Sequence, residues 1–581
     1  MNISKSLLIL FAFVGGLFSC KLNSEEDPTP DTGTTTGSTS GTSNGTDSLT
    51  PLDQIEVSST DYAYDANTSN IIKLNGSSIT VSGSGAKASG SVVTISSAGT
   101  YSISGSLTNG QIKVQTDSND PVKLILNGID VTNTSTSPIF VDKAKKVILF
   151  LAKGTTNKVT DGATYTDTAE GQNAAIYAQS YMAISGEGTL QVNGNFEDGI
   201  SGKDGLVINS GVITVNAKDE GIRGKDYLVV RDGTINVTTT AGDGLKSDYE
   251  GDTKYGYVLI EKGSFKVVSQ SDAISAETTL TVNGGTFDIT SGGGSSRTVA
   301  ATASAKAFKG GSTVKLGVTS ATISSADDGV NSNTEVIITK GTFAISSADD
   351  GIHANSTVTI QDGNITISKA FEGIEAKTIT FEKGNFNITS SNDAINATAG
   401  TDAQQNDGSF IYIKGGTFVL DAQNGDPLDS NGNITMSDGT LIIHGPSGAE
   451  VPIDYNGTFV VSKGTIIATG GSGNSRMFQA PSTSSTVNSL KLTFTATNAA
   501  STLFTVTDES GTPLVTFKPT KTYGAIVFTS EKLVTNKKYN IYTGGSITGN
   551  NTGGYYTSGT YSGGTLRGSF TVSSSVNTVA L

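Results

Sequence analysis

The residues best placed to do chemistry are carboxylates set in recurring turns. The stretch SSADDGIHA at Ser346 to Ala354 nearly repeats SSADDGVNS at Ser324 to Ser332, and each puts two acids before a glycine and an aliphatic residue. With that aliphatic residue as a marker, the turn recurs at Ile176, Ile200, Ile222, Leu245, Ile274, Phe308, Val330, Ile352, Ile374, Ile395, Leu428 and Ile453. Two residues before ten successive markers stand Asp198, Glu220, Asp243, Asp272, Lys306, Asp328, Asp350, Glu372, Asp393 and Asp426, acidic in nine cases of ten. The preceding position adds Glu197, Asp219, Asp327 and Asp349, and the position after the marker adds Asn331, His353, Glu375, Asn396, Asp429 and Asp454.

If these turns stack, carboxylates ~4.8 Å apart form a column. Neighbours then repel by about 1 kcal/mol at the dielectric of water and about 3.5 kcal/mol at an effective dielectric near 20, which something must offset. Converging hard oxygen donors suit Ca²⁺ better than Mg²⁺ or Zn²⁺, and with two His and one Cys in the chain soft-metal chemistry is set aside. The candidate ligands are Asp198, Asp219, Glu220, Asp243, Asp327, Asp328, Asn331, Asp349, Asp350, Glu372, Glu375 and Asp393. The alternative is that Asp-Gly simply makes a good turn and each carboxylate caps backbone N–H groups. Paired acids such as Asp327-Asp328 exceed what a turn requires. A second candidate is the insertion from Ser247 to Tyr257, where Asp248, Tyr249, Tyr255 and Tyr257 could meet a sugar, chelate a cation, or form a solvated loop.

The elements that must hold these residues are short strands. Several marker spacings equal 22 residues, and within a unit Val336, Ile338, Phe343 and Ile345 recur as Val358, Ile360, Ile365 and Ile367. Pairs two apart, separated by a glycine turn, mean strands. A unit this small cannot bury its own apolar face, whereas stacked units can, so the expected fold is all-β, a right-handed parallel β-helix of about a dozen coils. Its expected span is residues 171–484, between a β-rich N-terminal region at 52–170 and a C-terminal β segment at 485–581.

Net charge −15 excludes attraction to nucleic acid or anionic lipid without a cation between. The lone Cys20 rules out a disulfide framework and follows a short apolar run with Lys5 ahead of it, as in a signal peptide. The tetrapeptide Leu17-Phe-Ser-Cys20 resembles a bacterial lipobox, which implies cleavage before Cys20 and its lipidation. The acidic run after it resembles a tag for the cell exterior, and residues 21–51 read as a flexible linker. The expectation is a monomer on the outer membrane, facing outward and touching membrane only through its lipid.

The runs GISGKDGLVINSGVITVNAKDEGIRGKDYLVVRDGTINV, AGDGLKSD, SSADDGVNSN, SSADDGIHAN, AFEGIEAKTI, SNDAINA and NGDPLDSNGNITMSDGTLIIHGP, in that order from about Gly171 to Gly470, resemble a bacterial carbohydrate-binding domain family. That family is built as a right-handed β-helix similar to family 9 pectate lyases, and the resemblance implies calcium and a polysaccharide partner, an acidic pectic polymer or cellulose. The lyase-like calcium pattern pairs two adjacent acids, an oxygen ligand three residues after the second, and an acid one coil earlier. Asp327-Asp328 with Asn331 fits part of it, as does Asp349-Asp350 with His353 and Asp328. Glu372 with Glu375 and Asp350 fits another part, with Phe371 in place of the first acid. The resulting reading is a calcium-dependent, non-catalytic polysaccharide-binding lipoprotein. Two others stay open: a surface adhesin, and a lyase, which needs a base such as Lys203, Lys225, Lys246, Lys306 or Lys309. Each lysine is expected instead to be a charge partner of the acids.

Overall fold

The computed structural model describes residues 59–64, 66–166, 170–300, 302–400, 405–446, 450–471 and 478–581. The leader, Cys20 and the linker at 21–51 lie outside them. The described chain is all-β, with the single 3-10 turn Ser59–Tyr62 as its helical element. Most strands join one large mixed sheet of 45 strands.

Between residues 99 and 470 the pairings within that sheet are parallel, and they connect one repeat unit to the next in three ladders. One ladder carries all twelve markers in a single register, from Ile176 through Ile200, Ile222 and onward to Leu428 and Ile453. Every marker is fully buried in one continuous hydrophobic core. Each such side chain contributes about 1.5–3 kcal/mol by leaving water, which is why the 22-residue spacing is held. A second ladder runs through Leu206–Ile208 and Tyr227–Val230, and a third through Val212–Ala217 and Thr234–Thr239. In Val212–Ala217 of the third ladder burial alternates, inward Ile213 and Val215 against outward Thr214 and Asn216.

The same register continues N-terminally past residue 171, through Ile139 and Ile112 to Val93. Parallel stacking therefore begins within the region set apart at 52–170, starting at Ile71–Gly76 against Gly99–Leu107. Two antiparallel hairpins, such as Ala86–Ser89 with Val92–Ile95, interrupt it there. At the other end Thr465–Gly470 meets Tyr523–Thr529 antiparallel, which ends the parallel ladder. The C-terminal segment then forms a six-stranded antiparallel sheet, and its hydrophobic core takes in Ile442 and Ile467 of the last parallel units.

Candidate metal and glycan site

The acidic turn sits where the chain passes from the third ladder back to the marker ladder. Its glycine is required by close approach: a Cβ on Gly351 would lie 2.6 Å from the carbonyl oxygen of Gly373 in the next unit. The Gly351 N–H donates to the Glu372 carbonyl at 2.9 Å. The side chains add a second set of bonds. Asp328 Oδ1 accepts the N–H of Asp350 at 3.1 Å, Asp350 Oδ1 that of Glu372 at 3.1 Å, and Asp393 Oδ1 that of Asp426 at 2.6 Å. Asp198, Asp243 and Asp272 make the same bond to Glu220, Asp272 and Lys306. One oxygen of most column aspartates is thus a staple between units, and the chemistry of the column rests on the other.

In the first half of the column that second oxygen meets a cation. Lys246 lies 2.7 Å from Glu220 and 3.2 Å from Asp243, and Lys309 lies 2.9 Å from Asp272. Lys306, the one base in the column, lies 2.7 Å from Asp327 and 3.0 Å from Asp328. Arg223 pairs with Asp248 at 2.7 Å and approaches Asp198 at 3.8 Å. Asn331 donates to Asp328 at 2.7 Å. Burial raises the pKa of Asp328, but His353 and Lys306 outweigh it and hold the group below the usual carboxylate range. Burial and Glu220 push Asp198 up, against the pull of Arg223. Oxygens of Asp198, Asp219 and Glu220, and of Asp327, Asp328 and Asp349, converge within 4.8 Å. These two clusters nevertheless hold Lys246 and Lys306 already, so a metal there would have to displace an ammonium.

The second half has no lysine or arginine ion pair among the described residues. Burial, then Asp328, Glu372 and Asp349, push Asp350 up to about 9. Burial followed by neighbouring carboxylates takes Asp393 and Asp426 to about 7 and Asp429 to about 8. Glu375 is raised by burial and by Glu372 beside it. Asn396 donates its amide to Glu372 at 2.8 Å and to Glu375 at 3.2 Å, while its Oδ1 is buried without a hydrogen-bond partner. Carboxylates with no lysine or arginine partner among the described residues are hard oxygen donors of the kind a divalent ion takes, and here the Asn396 amide nitrogen occupies Glu372 and Glu375.

The structure therefore divides the twelve candidate ligands. Asp198, Glu220, Asp243, Asp327 and Asp328 carry ion pairs, with Asp219, Asn331 and Asp349 beside them; Asp350, Glu372, Glu375 and Asp393 have no lysine or arginine partner among the described residues. Asn396, Asp426 and Asp429 belong with the second group. Their register in the column is the sequence signal that includes them. In the insertion, Tyr249 and Tyr255 pack edge to face at 5.2 Å and stay partly exposed. Tyr257 does not join them as a binding ring. It is 4% exposed, because it is a strand residue of the second ladder stacked on Tyr227. Phe371, by contrast, is 50% exposed beside Asp349 and Glu372.

A family model described as carbohydrate-binding domain-containing protein matches residues 89–351 and 347–502. These ranges cover more than half of the chain, and the chain belongs to that family. A protein of the same description from Acetivibrio thermocellus is 38% identical over 204 residues, which is 35% of this chain and 71% of the relative. A solved structure of a polysaccharide lyase-like protein from C. thermocellum, in a gadolinium derivative, is 32% identical; the match covers 39% of this chain and 92% of that one, with a TM-score of 0.38.

Proposed function

We propose that this member of the carbohydrate-binding family winds as a right-handed parallel β-helix and binds an acidic polysaccharide, of the polygalacturonate class, through calcium. Glu372, Glu375, Asn396, Asp350 and Asp393 would hold the ion, which would supply positive charge between protein and sugar carboxylates. The observation that carries this reading is the run of Asp350, Glu372, Glu375 and Asp393, buried or half-buried, raised in pKa in three of the four, and without a lysine or arginine partner among the described residues. A net charge of −15 works against a polyuronate, and a bridging cation offsets that repulsion at the acidic column. The leader motif supports anchoring through a lipidated Cys20 on the outer membrane, facing the exterior. At Lys246, Lys306 and Lys309 binding is favoured over elimination, since each is clamped by carboxylates and those of Lys246 raise its pKa despite burial, opposite to what a base needs.

Calorimetric titration of polygalacturonate into the full chain tests the reading. Binding that is tighter with calcium and weaker in chelator is expected, with no unsaturated uronide seen by ultraviolet absorbance. Equal binding in both conditions removes the calcium bridge, and absorbance that grows with enzyme-like turnover restores the lyase.

A further inference from the structure

Lys203 and Lys225 occupy one position in consecutive repeat units. The N–H of Lys203 donates to Ala178 at 2.8 Å and that of Lys225 to Gly202 at 2.9 Å. Their backbones are thus ~4.8 Å apart in the stacking direction. Unlike Lys246, Lys306 and Lys309, neither ammonium has a carboxylate within ion-pair distance among the described residues. The next residue in their column, Asp248, is taken by Arg223, which holds it at 2.7 Å through a terminal nitrogen and 3.2 Å through Nε. With Asn173 and Ser201, the three cationic side chains line a cavity of about 150 Å³. Lys225 Nζ lies 5.9 Å from the ring centre of Tyr249. Against the Gly171 wall, the Tyr177 hydroxyl is buried and has no partner among the described residues.

Stacked lysines pose the acidic column's problem with the sign reversed: like charges in adjacent units need a counter-ion. In a chain of charge −15 such a cationic hollow is out of keeping with its surroundings. We propose that it binds one carboxylate of a uronic acid sugar directly, with no metal between. Lys203 and Lys225 supply charge, the second N–H of the Asn173 amide, whose first goes to Asp198 at 2.8 Å, supplies a hydrogen bond, and the Tyr249 ring offers a face for the sugar C–H groups. The proposal rests on the acidic-glycan reading but not on its calcium.

The test is trigalacturonate titrated into the full chain in EDTA. Its carboxyl-reduced, neutral counterpart and sodium sulfate serve as comparison ligands. Trigalacturonate is expected to bind, with affinity falling as salt rises, and to weaken by about tenfold in Lys203→Met and further in the Lys203→Met, Lys225→Met double variant. Both lysines reach solvent, so the melting temperature should hold; Lys225→Gln is a polar control expected to weaken binding likewise. Equal binding by the neutral sugar, equal binding by sulfate, or unchanged affinity in the double variant overturns the proposal. Calcium-dependent polymer binding with none in EDTA sinks this pocket alone. The reverse pattern sinks the calcium reading alone.

Discussion

Asp350 Oδ1 accepts the backbone N–H of Glu372 at 3.1 Å, one repeat unit on, while no lysine or arginine pairs with its other oxygen among the described residues. One side chain thus holds two jobs that pull apart. The staple wants an acceptor and does not need a charge, whereas a metal or a sugar-bridging ion needs the charge and leaves the staple untouched. Substitutions that separate acceptor from charge should therefore separate stability from function.

Asp350→Asn keeps a carbonyl acceptor and removes the charge. Its melting temperature in chelator should equal or exceed that of the parent, because burial and the acids around it already disfavour the ionised form. Calcium affinity should fall by about tenfold or more. Asp350→Ala strands the Glu372 N–H and should cost about 1–3 kcal/mol in denaturant unfolding. An alanine variant as stable as the asparagine one would remove the staple from the account.

The pH dependence of the metal-free protein has a definite sign. Asp350 at about 9, Asp429 at about 8, and Asp393 and Asp426 at about 7 lie above the unfolded value of about 3.9. The native state therefore binds more protons than the unfolded state across this window. Their stabilising contribution is fully present below the unfolded value and is lost as pH rises through the folded ones. In chelator the melting temperature should fall from pH 5 to pH 9. Calcium, which competes with those protons, should flatten the fall. A melting temperature that rises with pH in chelator would contradict this.

Much of this site is legible in the sequence because the core enforces its spacing. An inward Ile352 must stack on Ile374, so the residues two before and one after each marker line up without further information. What is not legible is which acids meet a base. Lys246 reaches back to Glu220, 26 residues earlier, and that choice depends on rotamers and on the neighbouring unit. The same holds for Lys203 and Lys225, which the sequence treats like Lys246 and which meet no acid within ion-pair distance among the described residues. The N-terminal stacking is hidden for another reason: Val93, Ile112, Ile139 and Ile176 share a register but are unevenly spaced, with hairpins and long strands between. Tyr257 misleads because it ends a polar insertion yet begins a strand.

Phe371 stands half exposed where a first acid would be, with its N–H on the Asp349 carbonyl at 2.8 Å. A solvated aromatic ring beside the charge cluster is a surface for sugar C–H groups. Phe371→Ala should lower affinity for trigalacturonate in calcium by roughly two- to twelvefold, as expected for about 0.5–1.5 kcal/mol of ring contact. Calcium affinity and melting temperature should stay as they are. A matched loss of calcium affinity would make the ring part of the metal site's support instead.

Lys306 stands in the column where nine other units place an acid, and it bridges Asp327 at 2.7 Å and Asp328 at 3.0 Å. Its ammonium does for this pair what a metal ion would do further along. Lys306→Met keeps the apolar stem and removes the charge, leaving two buried carboxylates with Asp349 close by and His353 the one base near them. Breaking such a buried pair should cost about 3–5 kcal/mol in chelator. The vacated oxygens converge within 4.8 Å, so calcium should bind there and recover a large part of that loss, raising the bound stoichiometry by one ion over the parent. Calorimetric ion counts and melting curves with and without calcium read both effects. A variant that is destabilised yet gains neither stability nor an ion from calcium would show that these converging oxygens are shaped for an ammonium and not for a metal.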